Sequence, residues 1–479
     1  MRPARTSLFI AAALLVVLTL AAVAPIRSYD SFWHLATGRW IVEHRALPLH
    51  DPFTLASDRT EWINGQWLFQ VALYGVHQVG GMNGLSWVRA FFVALLFTFA
   101  FSVARRKRDW GLPLLATGIG FAGAAVFLDV RPSSVAALFV VAAIALLERI
   151  RETSGRDRHA LIAGYALLTI VWVNVHPSAL LAPIFGALAL TGPLLPLASL
   201  LALLINPYGA EGVIAPLRLM SFVKGGEFIN AEWLPSLPLE FPLLYIAIAF
   251  AVVLFALSDS RREQIWRALI FTALAYLAVR HVRNQPLFFC ALPLLIAPFA
   301  RREIPRIAHI AVAVAAIASV AIMTSHAPGI DRHRFPVQAT SRLLASGMRG
   351  NIYNPDQFGG FLIWSFYPER RALTDGRNEL YHAYIPEYAA ARNDSRKWNA
   401  LLRKYDIALA VDEYRPLLPV VTARTGKTVK MPASLAYFPR TDWALIAYDQ
   451  AGMVFARRTA FPRAQLARWE ITNVVPDAR

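Results

Sequence analysis

The sequence is poor in cysteine and in charge. Cys290 is the single cysteine among 479 residues, which excludes a disulfide framework, a cysteine-based zinc site and an iron–sulfur cluster. Charged residues make up 16% of the chain, against about 25% in soluble globular domains, while hydrophobic residues reach 56%. So low a charge content excludes a soluble enzyme, and so high an apolar content excludes a disordered chain. The chain is therefore built largely for an apolar environment.

The charges that are present are mostly basic, with a net charge of +17, and they are unevenly spread. Residues 1–324 carry 26 basic and 17 acidic residues, whereas the much shorter segment 325–479 carries 22 and 14. This shift predicts two domains, a transmembrane domain over 1–324 and a soluble domain over 325–479. Basic residues can mark the cytoplasmic side of a membrane protein as well as a nucleic-acid surface. The basic excess therefore does not by itself indicate a nucleic-acid partner.

Eleven apolar segments approach the length of about 20 residues that a membrane-spanning helix needs. The predicted spans are 7–26, 84–104, 111–128, 133–148, 159–175, 179–191, 193–206, 239–258, 266–282, 285–299 and 307–324. The short pair 179–191 and 193–206 predicts either tilted half-helices or one re-entrant unit. The sequence thus predicts a polytopic α-helical membrane protein with about 11 transmembrane helices.

Sixteen basic residues fall on one side of the membrane if the spans alternate in direction. They are Arg2, Arg5, Arg105, Arg106, Lys107, Arg108, Arg149, Arg151, Arg156, Arg158, Arg261, Arg262, Arg267, Arg301, Arg302 and Arg306. The positive-inside rule makes that side cytoplasmic. We therefore expect a multi-pass protein of the inner (plasma) membrane with a cytoplasmic N-terminus and an extracytoplasmic C-terminal domain. A secretory signal peptide is the alternative for residues 1–27, and it leaves the next loop outside as well.

The first outer loop, 27–83, is long and patterned. Segments 31–44 and 62–79 predict two amphipathic helices at the membrane interface, separated by a proline-rich turn. Asp30 stands at the mouth of the first span and Asp51 in that turn. An acid at membrane depth is costly unless it is paired or hydrated, so both are candidate functional residues. Each has a structural alternative, since Asp30 can cap the following helix and Asp51 can form the turn.

Other polar residues gather at the outer ends of the predicted spans. They are Asp129, Arg131, His176, Glu232, Arg280 and Arg283. Arginine side chains bind phosphate, and carboxylates hold divalent metals or accept protons. Structural alternatives are an ion pair of Asp129 with Arg131 or Arg280, and a hydrogen-bonded helix end at His176. As a set they favour an anionic, amphipathic substrate such as a polyprenyl-phosphate sugar, with Arg131, Arg280 and Arg283 on the phosphate.

The first outer loop also resembles that of the GT-C class of glycosyltransferases, polytopic enzymes that use lipid-linked sugar donors. The segments YDSFWHL (29–35) and DPF (51–53) are similar to the first loop of oligosaccharyltransferase catalytic subunits. This resemblance implies Asp30 as the catalytic or metal-binding acid and places Asp129 near the second acidic motif. A divalent metal, Mg²⁺ or Mn²⁺, at Asp30 and Asp129 is implied in the same way. The chain departs from the oligosaccharyltransferase pattern in lacking a Trp-Trp-Asp motif.

The C-terminal segment 325–479 predicts a small extracytoplasmic α/β domain. Helices are expected at 336–347, 379–392 and 396–405, strands at 351–354 and 407–411, and a hairpin at 444–456. Five polar residues form either a binding patch or turns and caps, of which we favour turns and caps: Asp356, Gln357, Asp375, Arg377 and Glu379. The segment contains no phosphate-binding loop and no esterase nucleophile motif.

The function predicted from the sequence is membrane glycosyl transfer. A sugar would pass from a polyprenyl-phosphate donor to a glycan, lipid or protein acceptor on the extracytoplasmic face. The site residues would be Asp30 and Asp51 as catalytic acids, with His34, His176 and Glu232 in support. The alternatives are a transporter or flippase, which needs polar groups across the membrane depth, and a scaffold with an outer binding domain. A nucleic-acid partner is not expected.

Overall fold

The computed structural model describes residues 2–57, 60–105, 110–224, 231–258, 262–299, 306–323, 327–414, 417–421 and 426–478. The chain forms two compact units, each assembled from two separate segments. The helical unit comprises Met1–Ile26 and Ile63–Gly329, and the sheet unit comprises Arg27–Trp62 and Ile330–Arg479. We expected the whole loop 27–83 to belong with the transmembrane domain. Its first part instead folds with the C-terminal segment.

The helices and strands are numbered in chain order. The helices are α1 (Arg2–Ala22), α2 (Asp30–His44), α3 (Trp67–Ala104), α4 (Gly111–Ala124), α5 (Pro132–Glu152), α6 (Gly155–Val173), α7 (Leu181–Leu188), α8 (Leu194–Ala202), α9 (Ala210–Lys224), α10 (Pro242–Leu257), α11 (Ile265–Arg280), α12 (Gln285–Ile296), α13 (Arg306–Met323), α14 (Val337–Ala345), α15 (Asp356–Phe366), α16 (Tyr384–Ala391), α17 (Ser395–Lys404), α18 (Ala433–Tyr437) and α19 (Arg463–Trp469). The strands are β1 (Asn351–Tyr353), β2 (Ile407–Glu413), β3 (Leu418–Val421), β4 (Thr428–Met431), β5 (Trp443–Tyr448) and β6 (Gly452–Arg457).

The helical unit contains a helix at each of the eleven segments predicted to span the membrane. Among the described residues, three helical stretches are long and apolar enough to cross a bilayer: Trp67–Ala104, Pro132–Glu152 and Val282–Phe299. Five further apolar helices are shorter. The structure is therefore a helical membrane-type fold, and the figure of about 11 spans stays a prediction. Of the sixteen basic residues used for orientation, Arg106, Lys107, Arg108, Arg261, Arg301 and Arg302 lie outside the described residues.

Two glycines allow the centre of the helical unit to pack closely. Helix α4 lies against both α12 and α13. A Cβ atom at Gly120 would be 2.5 Å from the carbonyl oxygen of Phe289, and one at Gly123 would be 2.5 Å from the Phe289 ring. Real Cβ atoms do not approach other atoms so closely, so the α4–α12 contact requires glycine at both positions.

The sheet unit is a small α/β fold. Its main sheet has the strand order β1-β2-β6-β5, in which β1 and β2 are parallel and the other neighbours are antiparallel. Strands β3 and β4 form a separate antiparallel pair. The loop segment joins this fold through its backbone, since Leu55 N–H donates to Ala372 O at 3.0 Å and Ala56 N–H to Leu373 O at 3.0 Å. This pairing fixes the register between the N-terminal loop and the C-terminal segment.

The expected interfacial helix at 31–44 is present as α2, but the interpretation that it lies at a membrane interface is wrong. Nine of its fifteen residues are buried, because α15 packs against it. The Phe32 ring lies 4.8 Å from that of Phe335 and 5.1 Å from that of Phe361, between ring centroids. The second expected helix, 62–79, begins instead at Trp67 as the first part of α3, which bends at Gly81 (φ 58°).

Candidate functional site

The helical unit has a cleft where several of its helices end. Its enclosed volume is small, about 30 Å³. The lining residues come from four parts of the chain and are Phe127, Leu128, Arg131, Ser133, His176, Glu232, Arg283, Asn284, Pro286 and Leu287. Four of the residues predicted from the sequence therefore meet here. The cleft combines two guanidinium groups with an apolar wall, which suits an amphipathic anion.

Prolines place two of these polar side chains. Arg131 and His176 each precede a proline that begins a helix, Pro132 and Pro177. A residue before proline is driven to an extended backbone, and proline is favoured at the first helical position. Arg131 accordingly has φ −150° and ψ 158°, and His176 has φ −157° and ψ 140°. Both side chains are thus held at the boundary between loop and helix.

The two arginines of the cleft are held by different partners. Arg131 Nη1 donates to Glu232 Oε1 at 2.6 Å, and the Arg283 guanidinium lies 4.5 Å from the centroid of the Trp233 ring. Trp233 is fixed in turn by His281, whose Nδ1 lies 2.7 Å from the Trp233 carbonyl oxygen. Burial raises the pKa of Glu232, but the neighbouring Arg131 and Arg283 cations outweigh it and lower the pKa below its usual value. Glu232 is therefore ionised at neutral pH.

His176 is a neutral hydrogen-bond donor in this cleft. Its Nδ1 accepts the Ser178 N–H at 3.1 Å, so the proton of the neutral ring is on Nε2. Ser178 is itself fixed, because its Oγ accepts from Trp172 Nε1 at 3.0 Å. Burial, together with the positive charges of Arg283 and Arg131, lowers the pKa of His176 to about 3. The ring therefore adds a donor to the cleft without adding charge.

The remaining residues predicted in this unit lie elsewhere. Arg280 is the last residue of α11, is exposed, and does not line the cleft. Asp129 is half-buried, and its Oδ1 lies 3.9 Å from Arg89 Nε, a partner that the sequence did not indicate. Arg89 comes from the middle of α3, where an isolated arginine in an apolar run is the only signal of a buried ion pair.

In the sheet unit, a buried cluster forms around the Arg377 side chain. Its Nη1 lies 2.9 Å from Asp51 Oδ1, and its Nε donates to Asp375 Oδ2 at 2.8 Å. The other Asp375 oxygen accepts from the Tyr381 hydroxyl at 2.9 Å. Asp51 also accepts the Thr54 N–H at 3.0 Å, which closes the predicted turn. The cluster thus ties the loop to the C-terminal segment through charge as well as backbone.

The cluster is sealed from water. The side chains of Asp51, Asp375 and Arg377 have no exposed surface, and the guanidinium lies 4.5 Å from the centroid of the Trp62 ring. Burial raises the pKa of Asp51, but Arg377 and the hydrogen bonds outweigh it and lower that pKa. Asp51 is therefore held in a buried ion pair, and its role as a catalytic acid stays a prediction. Asp375 forms the expected turn, since its Oδ1 accepts the Arg377 N–H at 2.9 Å, and both residues also take part in this buried ion pair.

Asp30 lies beside this cluster and remains partly accessible. The helix begins at Asp30 itself with Tyr29 as the cap residue, so Asp30 is not the N-cap that the structural alternative proposed. Its Oδ1 accepts from Trp33 Nε1 at 3.2 Å and would lie 2.9 Å from a Cβ at Gly376. The missing side chain at Gly376 therefore makes room for the Asp30 carboxylate.

Two further sheet-unit residues complete the surroundings of Asp30. Burial, with smaller contributions from Asp375 and Asp30, raises the pKa of Glu379 to about 7 although Arg377 opposes the shift. His34 is buried, with its ring centroid 3.6 Å from that of Trp33. His34 thus packs against the Trp33 ring within α2, and its supporting role stays a prediction. Glu379, for which we favoured a turn or cap over a binding patch, is a second carboxyl group near Asp30.

The sequence resemblance implied a divalent metal at Asp30 and Asp129. The described residues contain no group of three or more His, Cys, Asp or Glu side chains arranged to hold a metal ion. The geometry of the described residues thus gives no support to a Mg²⁺ or Mn²⁺ site.

Comparison with known proteins finds matches among solved structures only. No protein-family model matches the chain, and no curated protein matches it significantly. Among solved structures, the archaeal oligosaccharyltransferase AglB from Archaeoglobus fulgidus, in complex with an inhibitory peptide and a dolichol-phosphate, matches with a TM-score of 0.60 at 10% identity. This match covers 89% of the present chain and 74% of AglB.

A second solved structure matches over almost the whole of both chains. ArnT from Cupriavidus metallidurans bound to undecaprenyl phosphate has a TM-score of 0.55 at 13% identity, over 96% of this chain and 99% of ArnT. The apo form of ArnT gives 0.57 at 14% identity. At such identities the likeness is one of fold. The resemblance to the GT-C class that the first outer loop indicated is confirmed at that level.

Proposed function

We propose that this chain is a membrane glycosyltransferase that takes a sugar from a polyprenyl-phosphate-linked donor. The observation that carries the proposal is the cleft in the helical unit, where Arg131, Arg283 and the neutral His176 supply donors for a phosphate beside an apolar wall. Arginine is the residue best suited to phosphate, and a prenyl chain needs an apolar path. Solved proteins of the same fold hold dolichol-phosphate and undecaprenyl phosphate, which supports this choice of ligand.

In the proposed reaction, the phosphate of the donor is the leaving group. An acceptor hydroxyl loses its proton to a carboxylate base, the role that the sequence resemblance implies for Asp30, while its oxygen attacks the anomeric carbon of the sugar. The bond from that carbon to the phosphate oxygen breaks, and polyprenyl phosphate departs with the electron pair. The sugar is transferred with inversion. The acceptor is a glycan, a lipid or a protein, and the first outer loop and the C-terminal segment supply the groups that meet it.

Binding of the carrier tests the first half of the proposal. Full-length protein in nanodiscs would be titrated with undecaprenyl phosphate, and copurifying lipid identified by mass spectrometry. We expect Arg283→Ala to weaken binding roughly 10- to 150-fold, since a hydrogen bond to a charged group contributes about 1.5–3 kcal/mol. Arg280→Ala is the matched control, because this exposed neighbour does not line the cleft. Equal losses in both variants would contradict the proposed phosphate site.

The role of Asp30 is tested separately, by transfer. Asp30→Asn is expected to abolish sugar transfer while expression and thermal stability stay unchanged, because the amide cannot accept the proton. Asp442→Asn, at an exposed position of the same unit, should leave sugar transfer unchanged. Full activity in Asp30→Asn would remove the residue from the mechanism. Carrier binding without any transfer in the unaltered protein would favour the alternative of a transporter or flippase.

The proposed topology follows from the basic residues rather than from the fold. We place the N-terminus in the cytoplasm and the sheet unit outside, at the inner membrane, because the positive-inside rule puts the sixteen basic positions on the cytoplasmic side. Reporter fusions after Arg158 and at the C-terminus would test this, with the first expected to report a cytoplasmic and the second an extracytoplasmic position.

A further inference from the structure

The lining of the cleft contains both signs of charge. Arg131 and Arg283 are cationic, and Glu232 is the anionic residue among the described side chains that line it. Because His176 is neutral, these groups sum to a single positive charge. The Glu232 carboxylate is placed on the Arg131 guanidinium at 2.6 Å, where it competes with any phosphate oxygen that approaches the same nitrogen atoms.

A glycosyl-transfer reaction changes the charge of the carrier. In the sugar-linked donor the phosphate is a diester and carries one negative charge. After transfer it is a monoester, whose second ionisation has a pKa of about 6, so it carries close to two charges at pH 8. Donor and spent carrier share the same lipid and the same phosphorus centre. Apart from the sugar itself, charge is therefore the property by which a cleft can separate them.

We propose that Glu232 matches the cleft to the singly charged phosphodiester and disfavours the doubly charged monoester, so that the spent carrier leaves. This inference rests on the proposed function and adds the specificity of the same cleft. A fixed carboxylate a few ångströms from the phosphate repels a second negative charge, and the repulsion is strong where water is partly excluded. The Glu232 side chain is 40% exposed, so it keeps its charge while remaining in contact with Arg131.

The structure also explains why Glu232 stays in place. It belongs to a short 3₁₀ helix, Ala231–Trp233, that lies against a second one, Val282–Asn284. The Val282 N–H donates to the Leu234 carbonyl oxygen at 3.0 Å. The carboxylate and Arg283 are thus carried by two segments that are hydrogen-bonded together. The hydrogen-bonded backbone therefore fixes the positions of Glu232 and Arg283 relative to each other.

The test compares two lipids that differ by one charge. Full-length protein in nanodiscs at pH 8 would be titrated with undecaprenyl phosphate and with its methyl ester, undecaprenyl methyl phosphate. We expect Glu232→Gln to tighten binding of the monoester at least tenfold relative to the diester, which corresponds to about 1.4 kcal/mol. Glu232→Asp should retain much of the wild-type preference.

Glu211→Gln is the matched control. Glu211 also forms an ion pair in the helical unit, with Arg218 at 2.7 Å, and it does not line the cleft. An unchanged ratio of the two affinities in Glu232→Gln would overturn the inference, even if both lipids bind and the proposed function stands. If neither lipid binds the wild-type protein in a manner that depends on Arg283, the proposed function fails together with the inference. Thermal unfolding of each variant would verify that the fold is retained.

Discussion

The buried cluster around Arg377 gives a sharp prediction for the sheet unit. Substituting Arg377→Met keeps most of the side-chain volume but leaves Asp51 and Asp375 without their cation, in a place where all three side chains have no exposed surface. Breaking a buried ion pair from one side costs about 3–5 kcal/mol, because the remaining charge stays buried and uncompensated. For a unit of this size, such a loss lowers the melting temperature by roughly 6–20 °C.

Thermal unfolding of the full-length protein in detergent, followed by tryptophan fluorescence, measures this loss directly. Arg349→Met is the matched control, since the Arg349 side chain is 74% exposed and lies 3.9 Å from Glu369. The control should change stability by no more than about 0.5 kcal/mol. If Arg377→Met and Arg349→Met have the same melting temperature, the cluster does not stabilise the sheet unit and the reasoning is refuted.

The pH dependence of the stability of Arg377→Met provides a second test. In the wild type the pKa of Asp51 is lowered, so its stabilisation is present above the unfolded value of about 3.9 and is lost as pH falls through the folded pKa. In Arg377→Met the buried Asp51 carboxyl group lacks its cation, and its pKa should rise. The variant should therefore recover stability relative to the wild type between pH 7 and pH 5. A stability difference between the wild type and Arg377→Met that grows as the pH falls from 7 to 5 would contradict this account.

Two glycine substitutions test other parts of the structure. Gly376→Ala is expected to lower sugar transfer with little loss of stability, because its Cβ would lie 2.9 Å from Asp30 Oδ1; an activity assay that shows no change would remove Gly376 from the support of Asp30. Gly123→Ala in α4 should destabilise the helical unit by about 1–3 kcal/mol, since its Cβ would lie 2.5 Å from the Phe289 ring. Gly75→Ala, in α3 with open space around it, should instead leave melting unchanged or raise it slightly, and equal effects in the two helices would contradict the packing argument.

Local patterns were sufficient to predict some of these features. The proline after Arg131 and after His176 fixes an extended residue at a helix start, so the sequence alone places these side chains at helix ends. The apolar spacing over 31–44 likewise predicts α2 to within a residue. Charge and proline position are local signals, and the features that depend on them could be predicted.

Features that depend on distant parts of the chain could not be predicted in this way. From its sequence alone, the apolar face of α2 is compatible with a membrane surface. Only the fold shows that α15 covers that face. The pairing of Asp51 with Arg377 joins residues far apart in the sequence, and nothing in the local pattern of either identifies the other. Arg280 and Arg283 look equivalent in the sequence, because the turn between α11 and α12 that separates them is set by tertiary packing.

The division of the sheet unit between two segments has a consequence for the order of synthesis. Residues Arg27–Trp62 leave the ribosome before helices α3 to α13 of the helical unit, whereas their partners begin at Ile330. At roughly 5–20 residues per second, that interval lasts on the order of ten seconds or more. During it the apolar face of α2 has no α15 to cover it, and Asp51 has no counter-ion. The sheet unit can therefore complete its fold only after the last third of the chain has been synthesised.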